Sequence, residues 1–414
     1  MRHVIVGNGP AGVIAAETLR AARPADEITL IGDEPEPPYS RMAIPYLLIG
    51  DIGEEGTHLR KGAEHFAGLH IDLRQSTVER VDTQSRSVTL ASGEILPYDR
   101  LLLATGSVPA DPPIPGIHSP GVFTCWTLAD ARRIAGAVNR GARVLQLGAG
   151  FIGCIIMESI AAREASLTVV EMGDRVLPRM MPAGASALIK RWCETKGVRI
   201  LTGAHVVQID RDTGGLHARL ESGETLEVDI IISATGVRPK IGFLAGSGIA
   251  TDTGILVDNR MQTNVADVYA AGDCAEAVEF ATGNRIINAI QLNAADQART
   301  AALNMAGRMT RSQGAMALNV LDTFGLISAS FGQWQGVDGG DQTESVDEAA
   351  FKYLRLVFGG DALIGATSVG LTEHVGVIRG LIQSRTRLGH WKARLMEDPT
   401  QVMAAYLAAA QDAA

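Results

Sequence analysis

Two glycine-rich stretches have residue types and spacing suited to one kind of chemistry, the holding of a dinucleotide. They are Gly7-Asn8-Gly9-Pro10-Ala11-Gly12 and Gly148-Ala149-Gly150-Phe151-Ile152-Gly153, both G-x-G-x-x-G. In such a turn the first glycine permits a tight bend, and the second lets backbone approach a pyrophosphate. The third lets a helix pack closely on a strand. A helix beginning in the turn then offers unpaired N–H groups and a positive dipole end to the phosphates. An acid follows each turn at a distance suited to a ribose hydroxyl: Asp33, beside Glu34, is 21 residues past Gly12, and Glu171 is 18 past Gly153.

The elements needed to position these groups can be read around them. Val4-Ile5-Val6 is a β-branched run before the first turn, an alanine-rich helical pattern follows it, and Ile28–Ile31 is a second apolar run. The second turn repeats the plan with a strand at Arg143–Leu147, a helix over 154–163 and a strand at Leu167–Val170. Each copy continues through alternating strand patterns, 69–103 and 198–232, into an apolar strand and the triplet Ala104-Thr105-Gly106 or Ala234-Thr235-Gly236. Between them, Pro109, Pro112, Pro113 and Pro115 mark a linker. Tyr39–Leu48 reads as a loop opening a short helix. Thr263–Asp273 holds a strand running into Gly272-Asp273, with a helix from about Asn293 to Met305. From about residue 316 come strand patterns at 317–333 and 352–367, then helices at 374–385 and 399–411, a separate α+β unit.

The totals narrow the class. At 414 residues the chain is too long for one core. A net charge of −9 gives no reason to expect nucleic acid or an anionic membrane as partner. No apolar run reaches the roughly 18 residues of a membrane span, and the first residues have no signal-peptide layout. Cys125, Cys154, Cys193 and Cys274 form no C-x-x-C pair, and the nine histidines show no metal-ligand spacing. The cytoplasm is the expected compartment. Cys154 and Cys274 are expected to be small buried residues.

Two dinucleotide units, each ending in A-T-G, together with T-x-x-x-x-V-Y-A-x-G-D at 263–273, resemble the two-dinucleotide-binding-domain flavoproteins, the pyridine nucleotide–disulfide oxidoreductase superfamily. Pro38-Tyr39-Ser40-Arg41 is similar to the ferredoxin- and rubredoxin-reductase branch and to the flavin domain of nitrite reductases. The C-terminal unit looks like the dimerisation domain of NADH oxidases and coenzyme A disulfide reductases. The resemblance implies an α/β fold of two Rossmann-like domains, for FAD and NAD, with a C-terminal α+β dimerisation domain. The boundaries it implies are 1–114 and 244–315 for FAD, 115–243 for NAD(H) and 316–414 for dimerisation.

It also implies roles. Gly7, Gly9, Pro10, Ala11 and Gly12 would cradle the FAD pyrophosphate, Asp33 or Glu34 the adenosine ribose, and Arg41 would reach the cofactor. Val78 would contact adenine through its backbone. Ala104, Thr105 and Gly106 would abut FAD, Gly272 and Asp273 the ribityl chain, and Leu292 and Asn293 the pyrimidine edge of the flavin. Gly148, Gly150, Phe151, Ile152 and Gly153 would hold the NAD(P)H pyrophosphate, with Gly236 beside the nicotinamide. Phe151 would lie over the flavin until nicotinamide displaces it, or else pack under the turn. At Glu171 a carboxylate favours NADH over NADPH, because it accepts from the 2′-OH and repels a 2′-phosphate. Arg175 is the competing signal.

Departures from the family pattern refine the expected activity. No cysteine stands in 38–48, where Met42 takes the place of the single redox cysteine, and the H-P-T turn reads Asp398-Pro399-Thr400. Without a thiolate there is no thiol–disulfide relay. A flavin-side lysine is replaced by Tyr46, which either hydrogen-bonds near N5 or packs. Its glutamate partner is replaced by Ile155, and Glu158 one turn on is expected to be solvated. The expected function is an FAD-dependent NADH oxidoreductase that passes electrons to a ferredoxin- or rubredoxin-type protein, as a homodimer. Its rivals are a flavoprotein subunit of a larger electron-transfer complex with weak NADH activity of its own, and an NADH oxidase.

Overall fold

The computed structural model describes residues 1–62 and 64–412. The chain forms two compact units. The first is Met1–Leu47, Ile52–Val108 and Val237–Met316; the second is Leu48–Asp51, Pro109–Gly236 and Ala317–Ala414.

The first unit is built on a five-stranded parallel sheet. Its order is Val268–Ala270, Arg100–Leu103, Arg2–Val6, Glu27–Gly32, Ile71–Gln75. Val4, Ile5, Leu30, Leu101, Leu102 and Leu103 are buried, as expected of parallel strands covered on both faces. The helix Pro10–Ala22 packs the sheet with Val13, Ala16 and Leu19, and lies along the helix Gln291–Met305 through small residues such as Ala298 and Ala301. Val78–Asp82, Ser87–Leu90 and Ile95–Pro97 form a small antiparallel sheet, with Ser92-Gly93 in its last turn. Arg41–Ala43 is a 3-10 turn leading into the short helix Ile44–Ile49.

The second unit repeats the parallel sheet in the order Arg199–Thr202, Ser166–Glu171, Arg143–Leu147, Ile230–Ser233, Val122–Thr124. The duplication extends to individual bonds. Gly7 N donates to Ile31 O at 2.7 Å and Gly148 N to Val170 O at 2.8 Å. Ala104 N donates to Val6 O at 2.7 Å and Ala234 N to Leu147 O at 2.8 Å. The second-turn helix begins at Phe151, three residues before the expected start, because Gly150 occupies the N-cap just as Gly9 does in the first copy.

The C-terminal part of this unit is an antiparallel sheet ordered Leu318–Thr323, Leu326–Gly332, Ala362–Val369, Lys352–Gly359, Asp341–Asp347. Helices Val375–Ser384, His390–Glu397 and Val402–Asp412 complete it. The sheet packs on the nucleotide half of its own unit through the helix Ala183–Thr195. Trp192 Nε1 donates to the carbonyls of Thr323 and Phe324 at 3.1 and 3.2 Å, and the Phe351 ring stands edge-on to Trp192. A Cβ on Gly184 would lie 3.1 Å from the Tyr353 ring. Glu158 is a correction to the reading of it as solvated. Its Oε2 accepts from Phe324 N at 3.0 Å, closing a hairpin turn where Phe324 has φ +54°. The hairpin needed an acceptor for that N–H, and the helix supplies one.

Candidate functional site

In the first unit the glycine turn sits at the carboxyl end of the central strand, where ligands of open α/β sheets bind. Gly7 has φ +108°, and a Cβ there would lie 2.1 Å from Ala104 O. The alanine of the A-T-G triplet is therefore pressed against the first glycine. A Cβ on Gly12 would lie 1.8 Å from Gly7 O, so helix and turn meet without side chains. Gly9 differs, with nothing within 4 Å of its Cβ position. Pro10 and buried Ala11 open the helix, which has no acid in its first turn and no side-chain cap among the described residues. Its positive end is thus left to an anion.

Around this cradle the predicted residues are arranged as follows. Glu34 Oε2 accepts from Tyr39 Oη at 2.5 Å, and Oε1 accepts from Arg41 at 2.5 Å. Arg41 also donates to Tyr39 Oη at 2.9 Å and stands 5.5 Å from that ring's centre. Asp33 pairs with Lys240. Of the two acids, Glu34 is thus built into the loop that carries Arg41, and Asp33 is half-exposed at the strand end. Val78 is buried at the start of its strand, and Ala104 is buried. Thr105 Oγ1 donates to Lys240 O at 2.7 Å, and Gly106 has φ +66° with open space at its Cβ.

Gly272 N donates to Gln297 Oε1 at 2.8 Å, fixing the strand end before Asp273. The Asp273 carboxylate accepts from Ser107 Oγ at 2.8 Å. Burial pushes its pKa above the ordinary value, against the Ser107 hydrogen bond and the charge of Arg41. An open cradle at a helix N-terminus and a half-buried carboxylate with hydrogen-bonding capacity left over suit a phosphate- and hydroxyl-rich cofactor. Leu292 and Asn293 open the helix Gln291–Met305. Leu292 is exposed, and the Asn293 side chain donates to Met316 O at 3.1 Å. Tyr46 is exposed, 53% of its surface being open in the structure.

The second unit repeats the cradle. Gly148 has φ +99°, with Ala234 O 2.5 Å from its Cβ position, while Gly150 and Gly236 have nothing within 4 Å. Phe151 and Ile152 are the first helical residues and are half-buried. Glu171 ends its strand with both oxygens engaged: Oε2 accepts from Ala149 N at 2.6 Å and Oε1 from Gly173 N at 2.7 Å. A carboxylate has about four lone-pair sites, so acceptor capacity remains for a ribose. Arg175, the competing signal, is committed to protein. It donates to Met181 O at 3.2 Å, Pro178 O at 3.3 Å and the Asp174 carboxylate at 2.8 Å.

Several residues here were not legible in the spacing. Lys240, Ser107 and Gln297 come from distant segments and touch the site only through the fold. Gln146 is fully buried below the second turn and donates through Nε2 to Gly148 O at 2.9 Å and Gly153 O at 3.0 Å. All four cysteines are buried and free. Burial pushes the thiols of Cys125 and Cys193 up to about 12 and raises those of Cys154 and Cys274, so none is a poised thiolate. Among the described residues no group of three or more His, Cys, Asp or Glu is placed to hold a metal ion, and no helix is long and apolar enough to cross a membrane.

Comparison with known proteins agrees with this geometry. The NADH-dependent phenylglyoxylate dehydrogenase subunit epsilon of Aromatoleum evansii is 33% identical over 405 residues, covering 97% of this chain and 96% of the relative. The probable ferredoxin reductase CtmF of Castellaniella defragrans is 33% identical over 313 residues, covering 74% and 76%. Among solved structures, the putidaredoxin reductase of a covalent complex with putidaredoxin superposes with a TM-score of 0.90 at 26% identity, covering 98% of this chain and 99% of that one. The family model described as pyridine nucleotide-disulphide oxidoreductase matches residues 1–298, and the chain belongs to that family.

Proposed function

We propose that this protein is an FAD-dependent NADH oxidoreductase whose electrons leave to a small redox protein of the ferredoxin or rubredoxin type. The observation that carries this is the pair of cradles built to one geometry, the second tipped by Glu171 and with Arg175 withdrawn from a 2′-phosphate. Bound FAD would supply the chemistry, hydride acceptance from NADH and release of electrons one at a time. In the first unit the backbone N–H groups after Gly9 would hold the pyrophosphate, Asp33 the adenosine ribose and Asp273 the ribityl hydroxyls. In the second unit the N–H groups after Gly150 and the Glu171 carboxylate seat NADH. No cysteine in 38–48 can act as an intermediate carrier, which suits a protein acceptor taking electrons directly. Ferredoxin reductase appears by name among the relatives, and the superposed reductase is held in a complex with putidaredoxin.

The test is anaerobic stopped-flow. The purified yellow protein should bleach with NADH faster than with NADPH, and reoxidise on addition of an oxidised ferredoxin or rubredoxin. Absence of bleaching with both nucleotides would overturn the proposal. One observation favours a second reading, a subunit of a larger electron-transfer complex: a relative matched along nearly the whole chain is itself named as a subunit. Co-purification with other subunits, together with poor acceptor turnover alone, would select it. The C-terminal sheet and helices are assigned to homodimer formation, and the cytoplasm is the assigned compartment; both rest on resemblance and composition.

A further inference from the structure

The two glycine turns share their backbone bonds to the neighbouring strands but differ beneath them. Two residues before the first glycine, the first copy has Ile5 and the second has Gln146, both fully buried on the central strand. Gln146 Nε2 donates to Gly148 O at 2.9 Å and Gly153 O at 3.0 Å, the first and third glycines of the motif. Both partners are carbonyl oxygens, so the NH₂ end must face them. Oε1 then points away, buried and without a donor among the described residues. A polar side chain with one end unsatisfied is an unfavourable choice for a sheet core, and apolar Ile5 serves at the same place in the first copy. The amide must therefore supply something the second turn needs and the first does not.

The difference between the turns lies in their ligands. Resting on the reading of the second turn as the NADH site, we infer that Gln146 is a positioning residue that holds this turn in its binding conformation before NADH arrives. FAD is a resident group and can order its own turn once. NADH binds and leaves in every cycle, so any disorder of the empty turn weakens each binding event in proportion to the competent fraction. By joining the carbonyls of Gly148 and Gly153, the amide fixes the approach of helix to turn at the place where a Cβ on Gly153 would lie 2.4 Å from Gly148 O. It thereby sets the direction of the N–H groups that follow Gly150.

The experiment uses the FAD-loaded holoprotein and the near-isosteric Gln146→Met. The substitution removes one unsatisfied acceptor, Oε1, and frees another, Gly148 O, so the melting temperature should change little and FAD content should be retained. KM for NADH should rise roughly tenfold, the loss of about one hydrogen bond's worth of ordering, with kcat much less affected. A lowered melting temperature with unchanged KM would show a purely structural residue and overturn the inference. Wild-type holoprotein provides a measurement that does not depend on the variant folding. Hydrogen exchange at the internally bonded amides of the turn, Gly148, Ala149 and Cys154, should be slow before NADH is added and change little on its addition; if these amides exchange freely until NADH binds, that would also overturn it. If wild type neither bleaches with nor binds NADH, the functional reading itself fails, and that outcome is distinct from both.

Discussion

Glu171→Gln isolates the charge that selects between nicotinamide cofactors. The wild-type carboxylate is half-buried and fixed by Ala149 N at 2.6 Å and Gly173 N at 2.7 Å, so it cannot swing away from a ligand at the strand end. A 2′-phosphate placed about 5 Å from it meets a repulsion of about 3 kcal/mol per unit charge at an effective dielectric near 20. Partial solvent exposure brings this to about 2–3 kcal/mol, or roughly 30- to 150-fold in preference. The amide removes the repulsion and can accept from only one of the two backbone donors. The reduction efficiency with NADH should therefore fall about tenfold while the preference for NADH over NADPH falls by roughly 30- to 150-fold. Anaerobic stopped-flow bleaching at varied NADH and NADPH gives both numbers. A preference ratio that stays within about twofold of wild type would refute the assignment of Glu171 as the discriminating charge, whatever happens to the absolute rates.

Other substitutions separate folding from binding. Gly7→Ala drives a Cβ to 2.1 Å from Ala104 O at φ +108° and should leave little folded protein by circular dichroism. Gly9→Ala, with nothing within 4 Å, should keep the fold yet retain less flavin after dialysis; normal flavin retention would remove Gly9 from the cradle. Asp273→Asn tests a carboxyl whose pKa burial raises above 3.8. Such a group contributes full stability below that ordinary value and loses it as pH rises through the raised one. The apoprotein variant should therefore melt higher than wild type near neutral pH, lose that advantage in acid and hold FAD less tightly; identical melting profiles at all pH values would contradict this. Tyr39→Phe removes a donor to Glu34 and an acceptor for Arg41, which at this partly exposed site should cost about 1 kcal/mol of stability, read from the urea midpoint. An unchanged midpoint would mean the Tyr39–Glu34–Arg41 cluster adds nothing to the loop.

Both glycine turns were legible in the sequence because their chemistry is local: each glycine acts within a few residues of the next, and the strand patterns around them are short and apolar. The strand Asp341–Asp347 was not, since its sequence, DQTESVD, lacks alternation. It is an edge strand held by pairing with Lys352–Gly359 and mostly exposed on both faces. The eight-residue helix His390–Glu397 buries only Leu395 among its residues, and at about two turns it is too short for a helical repeat to stand out. Residues acting across long separations were also hidden. Glu158 meets Phe324 from 166 positions away, and Lys240 meets Asp33 from 207. No spacing rule marks Gln146 either, because its partners are backbone atoms whose positions exist only once the turn has formed. The A-T-G triplet could be found by pattern, but the reason for its alanine, contact with the first glycine, required coordinates.

The seam around Trp192, Phe351 and Tyr353 makes the C-terminal sheet a poor place to shorten the polypeptide. A version ending at Met316 would keep every glycine discussed above, yet would bare the indole of Trp192 and strand the Glu158 carboxylate without the Phe324 N–H. Such a fragment would clump through its newly uncovered greasy flank before any nucleotide could be offered to it. Precipitation of a trimmed version would thus report lost shelter for that flank and would say nothing about flavin or nicotinamide binding.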